Sequence, residues 1–244
     1  MAQIRIRSAL QVLVVVLLGA SPAAAQSFGS IFTTLPADFG HLFTPASAIV
    51  LGVGGAASAA VHPRDEEITA RLAADVGARA RIFRLGAPIG DSPEQAAFAL
   101  AVYIAGRSSG HAELTATGVD LVQAQIVNGV LTQGLKFSVN RTRPNGGRHA
   151  FPSGHASASF ATATVIHQHY GWKLATPFYA IGTYVGVSRM VNRKHFVSDV
   201  IFGAAVGITS GRAASFGHGA HRVAVSPSIV PGGFMFTGTV GSRQ

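Results

Sequence analysis

Three short stretches, KFSVNRTRP at 136–144, PSGH at 152–155 and SRMVNRKHFVSD at 188–199, decide how this chain is read. Each falls where a helical pattern ends or begins. The apolar spacing from Leu114 to Phe137 predicts a long helix that delivers Lys136 near its end. Pro144, Asn145, Gly146 and Gly147 make the segment Asn140 to Phe151 a loop. A helix is predicted from Pro152-Ser153 to Tyr170, where Gly171 stops it. Two more follow, one over Leu174 to Val187 and one from His195 to about Gly211. Upstream, Asp91-Ser92-Pro93-Glu94 has the marks of a helix start, a capping residue followed by a first-turn proline and an early acid. That helix runs to about Arg107. The expected fold is mainly α, a helical bundle, with a short C-terminal β-hairpin from two alternating stretches of Ser228 to Val240 that flank Pro231-Gly232-Gly233.

The clusters carry chemistry as well as helix ends. Lys136, Arg143 and Arg189 offer fixed positive charge, and guanidinium groups hold phosphate oxygens through paired donors. Ser153 and Gly154 open a helix whose first amides lack partners, so its N-terminus is a seat for an anion. His155 is placed to protonate a leaving oxygen. His195 and Asp199, four apart, are expected on one helical face. A carboxylate there can take the proton of one ring nitrogen and leave the other as a nucleophile. Each feature alone has a plainer reading: a surface ion pair, an N-cap beside a bystander histidine, solvated cations. The set together points to an oxyanion, above all a phosphate. Arg141, Arg148 and Arg193 are read as solvated surface charge, His149 as a residue of the pocket rim, and His167 and His169 as surface residues of the bundle.

The rest of the chain bounds this reading. Apolar residues are 48% and charged ones 12% of the 244, and cysteine is absent. Disulfides and thiolate metal sites are thereby excluded. Residues 1–25 read as an export signal: Arg5 and Arg7, the apolar run Ala9 to Gly19, then Ala23-Ala24-Ala25 before Gln26. Its removal lowers the net charge from +9 to +7. A basic exported protein, periplasmic or bound to the membrane on that side, suits phosphorylated metabolites or lipid headgroups. No basic stripe interleaved with aromatics points to nucleic acid. Pro45 to Val61 is apolar and small-residued, slightly short of a bilayer span. Glu66 to Arg84 has amphipathic spacing. The expected organisation is a signal at 1–25, lead-in and helices at 26–90, the bundle at 91–215, and the tail at 216–244.

Taken in order, Lys136 with Arg143-Pro144, then Pro152-Ser153-Gly154-His155, then Ser188-Arg189 with His195 and Asp199, resemble the three-part signature of the type 2 phosphatidic acid phosphatase superfamily. That group also holds bacterial class A acid phosphatases and vanadium haloperoxidases. The resemblance covers about residues 90–212. It implies the acid phosphatase/vanadium haloperoxidase type of helical bundle and a metal-independent phosphohydrolase. In it His195 would attack phosphorus, Asp199 would orient His195, and His155 would protonate the leaving alcohol. Lys136, Arg143, Arg189, Ser153 and Gly154 would hold the phosphate. The connection from Pro144 to Pro152 is shorter than in many members, so substrate size does not carry over.

The expected substrate is a phosphorylated lipid or a small phosphoester. No cofactor is expected, with vanadate an inhibitor. Three alternatives stand beside this reading. One is a vanadate-dependent haloperoxidase in which vanadate is the cofactor. Another is a metal site on His155, His195 and Asp199, disfavoured by the three cations around it. The last is a non-catalytic envelope scaffold.

Overall fold

The computed structural model describes residues 28–74, 81–216, 221–230 and 233–242. The expected export signal, Arg79 and the Pro231-Gly232 turn lie outside these residues. The described helices are α1 Ser30–His41, α2 Pro45–Val61, α3 Asp65–Ala73, α4 Gly86–Gly90, α5 Ser92–Ser109, α6 Ala112–Val139, α7 Gly154–Tyr170, α8 Trp172–Val191 and α9 Val197–Ala214. Short 3-10 turns, His62–Arg64 and Phe83–Leu85, precede α3 and α4. The tail forms β1 His221–Val230 and β2 Gly233–Ser242, paired antiparallel from His221 opposite Ser242 to Val230 opposite Gly233.

The central helices form the bundle expected from the apolar periodicity. The packing of α7 against α9, α5 against α6, and α8 against α7 accounts for most of it. The core is built of small side chains: Ala99, Leu121, Ala124, Ala161, Val165 and Ala214 form one cluster. Such residues let helix backbones approach closely. A methyl group at Gly203 would lie 2.6 Å from the Ser153 carbonyl oxygen, and one at Gly207 would lie 2.1 Å from that of Ser157. Side chains there would push α9 away from the first turns of α7.

The fold departs from the sequence reading in three places. The bundle begins well before residue 91, because α2 packs along α9 and Ser58 Oγ donates to the Ser198 carbonyl at 3.0 Å. The helix expected over Glu66 to Arg84 starts at Asp65 and ends at Ala73. The last helix starts at Val197 and leaves His195 outside it. Asp199 Oδ2 takes the Phe196 amide at 2.8 Å and so caps α9 at Phe196. The amides of Lys194 and His195 turn back to the Arg189 carbonyl at 2.9 and 3.3 Å.

Among the described residues one helical run, Pro45–Ala73, is long and apolar enough to cross a membrane by length and composition, and 11% of its most apolar window is buried. Ile49 and Val53 on it are each 65% exposed.

Candidate active site

The site lies at one end of the bundle, where α6 finishes and α7 and α9 begin. Lys136 stands in the last turn of α6, and Asn140 ends that helix in the left-handed conformation. The chain then folds back on itself. The Ala150 amide donates to the Arg141 carbonyl at 2.8 Å, and a tight turn joins Arg143 to Gly146 and Gly147. This loop is clipped to the helix end from both sides. Lys136 Nζ donates to the carbonyls of His149 and Pro152 at 3.0 and 2.9 Å, while His149 Nδ1 lies 3.1 Å from the Lys136 carbonyl. His149, read as a rim residue, is therefore part of the clip.

Ser153 caps α7. It is wholly buried, its amide donates to the Asp199 carbonyl at 2.9 Å, and its hydroxyl faces the Ala156 amide at 3.5 Å. The start of α7 is thereby fixed to the start of α9. Gly154 opens the helix beside the Lys136 stem, which would lie 3.7 Å from a methyl group there. Arg189 leaves the end of α8, buried with Ser188.

The expected site residues come together in one place, and their electrostatics show it. Burial first, then the cation of Arg143, lowers Lys136 to about 8. His155 is lowered to about 4 by burial and then by Arg189, with Asp91 opposing. His195 is lowered by burial and by Lys136 and Arg143, against the pull of Asp199. Arg189 is lowered by burial and by Arg143. Cations crowded out of water gain from an anion between them. The donors agree: Arg143 Nε, Arg189 Nε and Ser188 Oγ are buried with no hydrogen-bond partner in the protein. Buried donors are nearly always paired. Arg143 and Arg189 act on one another as neighbouring cations, so their two unpartnered nitrogens suit an oxyanion held between them, while Ser188 Oγ packs against Gly86.

His195 is 2% exposed, and here the geometry corrects the expected pairing. Its Nδ1 lies 2.6 Å from the Ala150 carbonyl oxygen and 3.7 Å from Asp199 Oδ2. A carbonyl only accepts, so Nδ1 carries the proton and Nε2 keeps the lone pair. The main chain of the folded-back loop, more than the carboxylate, sets the ring. Asp199 acts at one remove: its two oxygens hold the Phe196 amide and Arg141 Nη1, each at 2.8 Å.

Arg141 overturns its reading as solvated charge. Its side chain is 19% exposed and joins two buried carboxylates, Asp199 and, at 2.8 Å, Asp65. It also donates to Ser198 Oγ at 2.7 Å, and its guanidinium lies 4.3 Å from the centre of the Phe196 ring. Asp65 in turn accepts from the Ser198 amide at 3.0 Å and from the Ser198 hydroxyl. This network locks α3 and the loop against the start of α9. Arg148 and Arg193 are exposed, as read, and donate to Asn140 Oδ1 and to the Pro144 carbonyl among the described residues. Arg143 also lines a cavity of about 760 Å³ between α3 and the loop, with Thr69 and Arg193 on its walls.

Among the described residues no group of three or more histidine, aspartate and glutamate side chains is arranged to hold a metal ion. At the opposite end of the bundle, His169 is another correction. Its side chain is fully buried, with Glu113 Oε1 and Asp120 Oδ2 each 2.8 Å from a ring nitrogen. His167 is exposed, as expected.

Residues 145–220 match the family described as the PAP2 superfamily. Over 98 residues the chain is 40% identical to a lipid A 1-phosphatase of Porphyromonas gingivalis, a match that takes in 38% of this chain and 21% of the relative. The chain thus aligns with about a fifth of that relative's length. The crystal structure of Aquifex aeolicus LpxE superposes with a TM-score of 0.52 at 21% identity, over 61% of this chain and 92% of the other, and so shares the fold. The first transmembrane PAP2 type phosphatidylglycerolphosphate phosphatase from Bacillus subtilis gives a TM-score of 0.36 at 20% identity, over 76% and 92%, too low to carry an argument.

Proposed function

We propose that this chain, whose residues 145–220 match the PAP2 superfamily, is a metal-independent phosphatase of that superfamily that removes phosphate from a phosphorylated lipid through a phosphohistidine. The observation that carries the reading is the cluster of Lys136, Arg143, Arg189, His155 and His195, whose charges act on one another, beside the start of α7 at Gly154. The likeness of 98 residues to a lipid A 1-phosphatase supports a lipid phosphate as the substrate class.

The steps follow from the residues. The substrate phosphoryl sits among Lys136, Arg143, Arg189 and the first amides of α7, which neutralise its oxygens and the charge that builds on them. His195 Nε2 attacks phosphorus, and the bond to the leaving oxygen breaks. The Nδ1 proton stays on the ring, and the cation that forms is stabilised by the Ala150 carbonyl and by Asp199 beside it. His155 gives its proton to the leaving oxygen and then takes one from the water that cleaves the phosphohistidine. The His195 ring is neutral before the attack because burial and cations disfavour its charged form. His155 is also neutral in the free enzyme, and the arrival of a phosphate dianion raises its affinity for a proton. Export by the segment 1–25, with the site on the far side of the inner membrane, belongs to the same proposal.

The test is phosphate release by the full chain from lipid A, phosphatidate, a polyprenyl diphosphate and a soluble phosphomonoester, with and without detergent. Release from a lipid phosphate, lost in His195→Ala and undiminished by chelators, is expected. Equal release by His195→Ala contradicts the mechanism. Release from the soluble ester alone contradicts the substrate class.

A further inference from the structure

We infer that Asp91 is the positioning residue for His155, holding and charging the ring that protonates the leaving group. The inference rests on the phosphatase reading and adds to it a second carboxylate–imidazole pair, on the leaving-group side.

Asp91 Oδ1 lies 3.6 Å from His155 Nε2. In its sequence context Asp91 is only a helix cap, and it does cap α5, taking the Ser92 amide at 3.1 Å. Its place beside His155 comes from the residue before it. Gly90 packs so closely that a methyl group there would lie 2.3 Å from Val185 Cγ1 and 3.1 Å from His155 Cβ. Any side chain at 90 would push the α4–α5 junction, and Asp91 with it, off α7. Gln95 Nε2 anchors the same junction from within α5 by donating to the Ile89 carbonyl at 2.7 Å.

The electrostatic surroundings give this carboxylate its purpose. The charged groups that act on His155 are Arg189 from α8, His195 from the loop before α9, Lys136 from α6, and Asp91. All but Asp91 oppose a proton on the ring, and so does burial. A general acid has to carry a proton, and Asp91 is the one neighbour that favours it. The pair is longer than a hydrogen bond in the free enzyme, as catalytic contacts often are before substrate closes them. With Nε2 turned to Asp91, Nδ1 is the nitrogen left to hand its proton to the leaving oxygen. Once the alcohol has gone, the same carboxylate stabilises the imidazolium that forms as the ring takes the proton of the attacking water.

Asp91→Asn separates charge from capping, since asparagine caps as well as aspartate. The readout is the dependence on the leaving group. An alkyl phosphate needs its leaving oxygen protonated; p-nitrophenyl phosphate scarcely does. With full-length enzyme, Asp91→Asn should lower kcat/KM, which reads only the steps up to the phosphoenzyme, about ten- to hundredfold for the alkyl phosphate and less than about threefold for p-nitrophenyl phosphate. The alkaline limb of the kcat profile should move to lower pH, because the ring holds its proton less well. Asp91→Glu should restore part of the alkyl phosphate rate, and His155→Ala should show the same selectivity more strongly. Equal losses on both substrates, or no loss on either, would overturn the role of Asp91. The failure of the phosphatase reading would look different: His195→Ala would then keep its activity whatever Asp91 does.

Discussion

The two ends of the bundle use histidine in opposite ways. At the catalytic end, His155 and His195 are surrounded by Lys136, Arg143 and Arg189, and both are pushed toward the neutral ring. At the far end, His169 on α7 is clamped between Glu113 and Asp120, both on α6, with a carboxylate oxygen at each nitrogen. One helix thus carries near its start a histidine set among cations, and near its end one set between two carboxylates. Neighbours decide the role: cations around a buried imidazole make a base or nucleophile, and carboxylates make a clamp.

The largest way to break this comparison is at the clamp. His169→Ala takes away the ring that Glu113 and the buried Asp120 share, and removing one partner of a buried ion pair costs about 3–5 kcal/mol. Denaturant unfolding should show that loss, while kcat per folded molecule stays near the wild-type value. A stable variant with impaired turnover would mean that the ends are not separable.

The catalytic end is tested by pH. Lys136 is lowered to about 8, so in the free enzyme its charge is lost as pH rises through that value. The inhibition constant of inorganic phosphate should therefore rise about tenfold between pH 8 and pH 9.5, beyond what the titration of phosphate itself accounts for. Lys136→Arg keeps its charge throughout and should flatten that limb. An unchanged limb in Lys136→Arg would show that another group sets it.

A second pH effect sharpens the far end. Asp38 on α1 is buried with Oδ2 unpartnered, and burial, then the charge of Asp120, pushes it up to about 7. A carboxyl raised in the folded state contributes stability at low pH that is lost as pH rises through the folded value. Asp38→Asn should remove this loss. Its stability advantage over wild type should grow from about pH 4 to pH 7 and level off above, read from unfolding midpoints. A constant difference across that range would contradict the assignment.

The residues of the proposed catalytic end could be picked out of the sequence because their signals are local. Lys136 and Arg143 sit seven apart across a helix end, Ser153 and Gly154 open a helix, and His195 precedes Asp199 by four. The neighbours that tune them were not, because they arrive through topology. Arg141 finds Asp65 across 76 residues and His169 finds Asp120 across 49, and no periodicity carries pairings of that range. The orientation of His195 was misread for the same reason. Its partner is a main-chain carbonyl, Ala150, 45 residues back, and a carbonyl leaves no mark on residue type. One signal for the clamp was present. Glu113 and Asp120 are seven apart on α6, hence on one face, and two acids on a face that packs inward require a cation opposite.

The phosphoryl-enzyme itself offers the most direct test. Full-length enzyme mixed with ³²P-labelled substrate, quenched in alkali within one turnover and digested, should yield a labelled peptide whose phosphoryl group sits on His195 and is lost in acid. Label on any other residue, or turnover by an unlabelled enzyme that His195→Ala reproduces, would contradict the account.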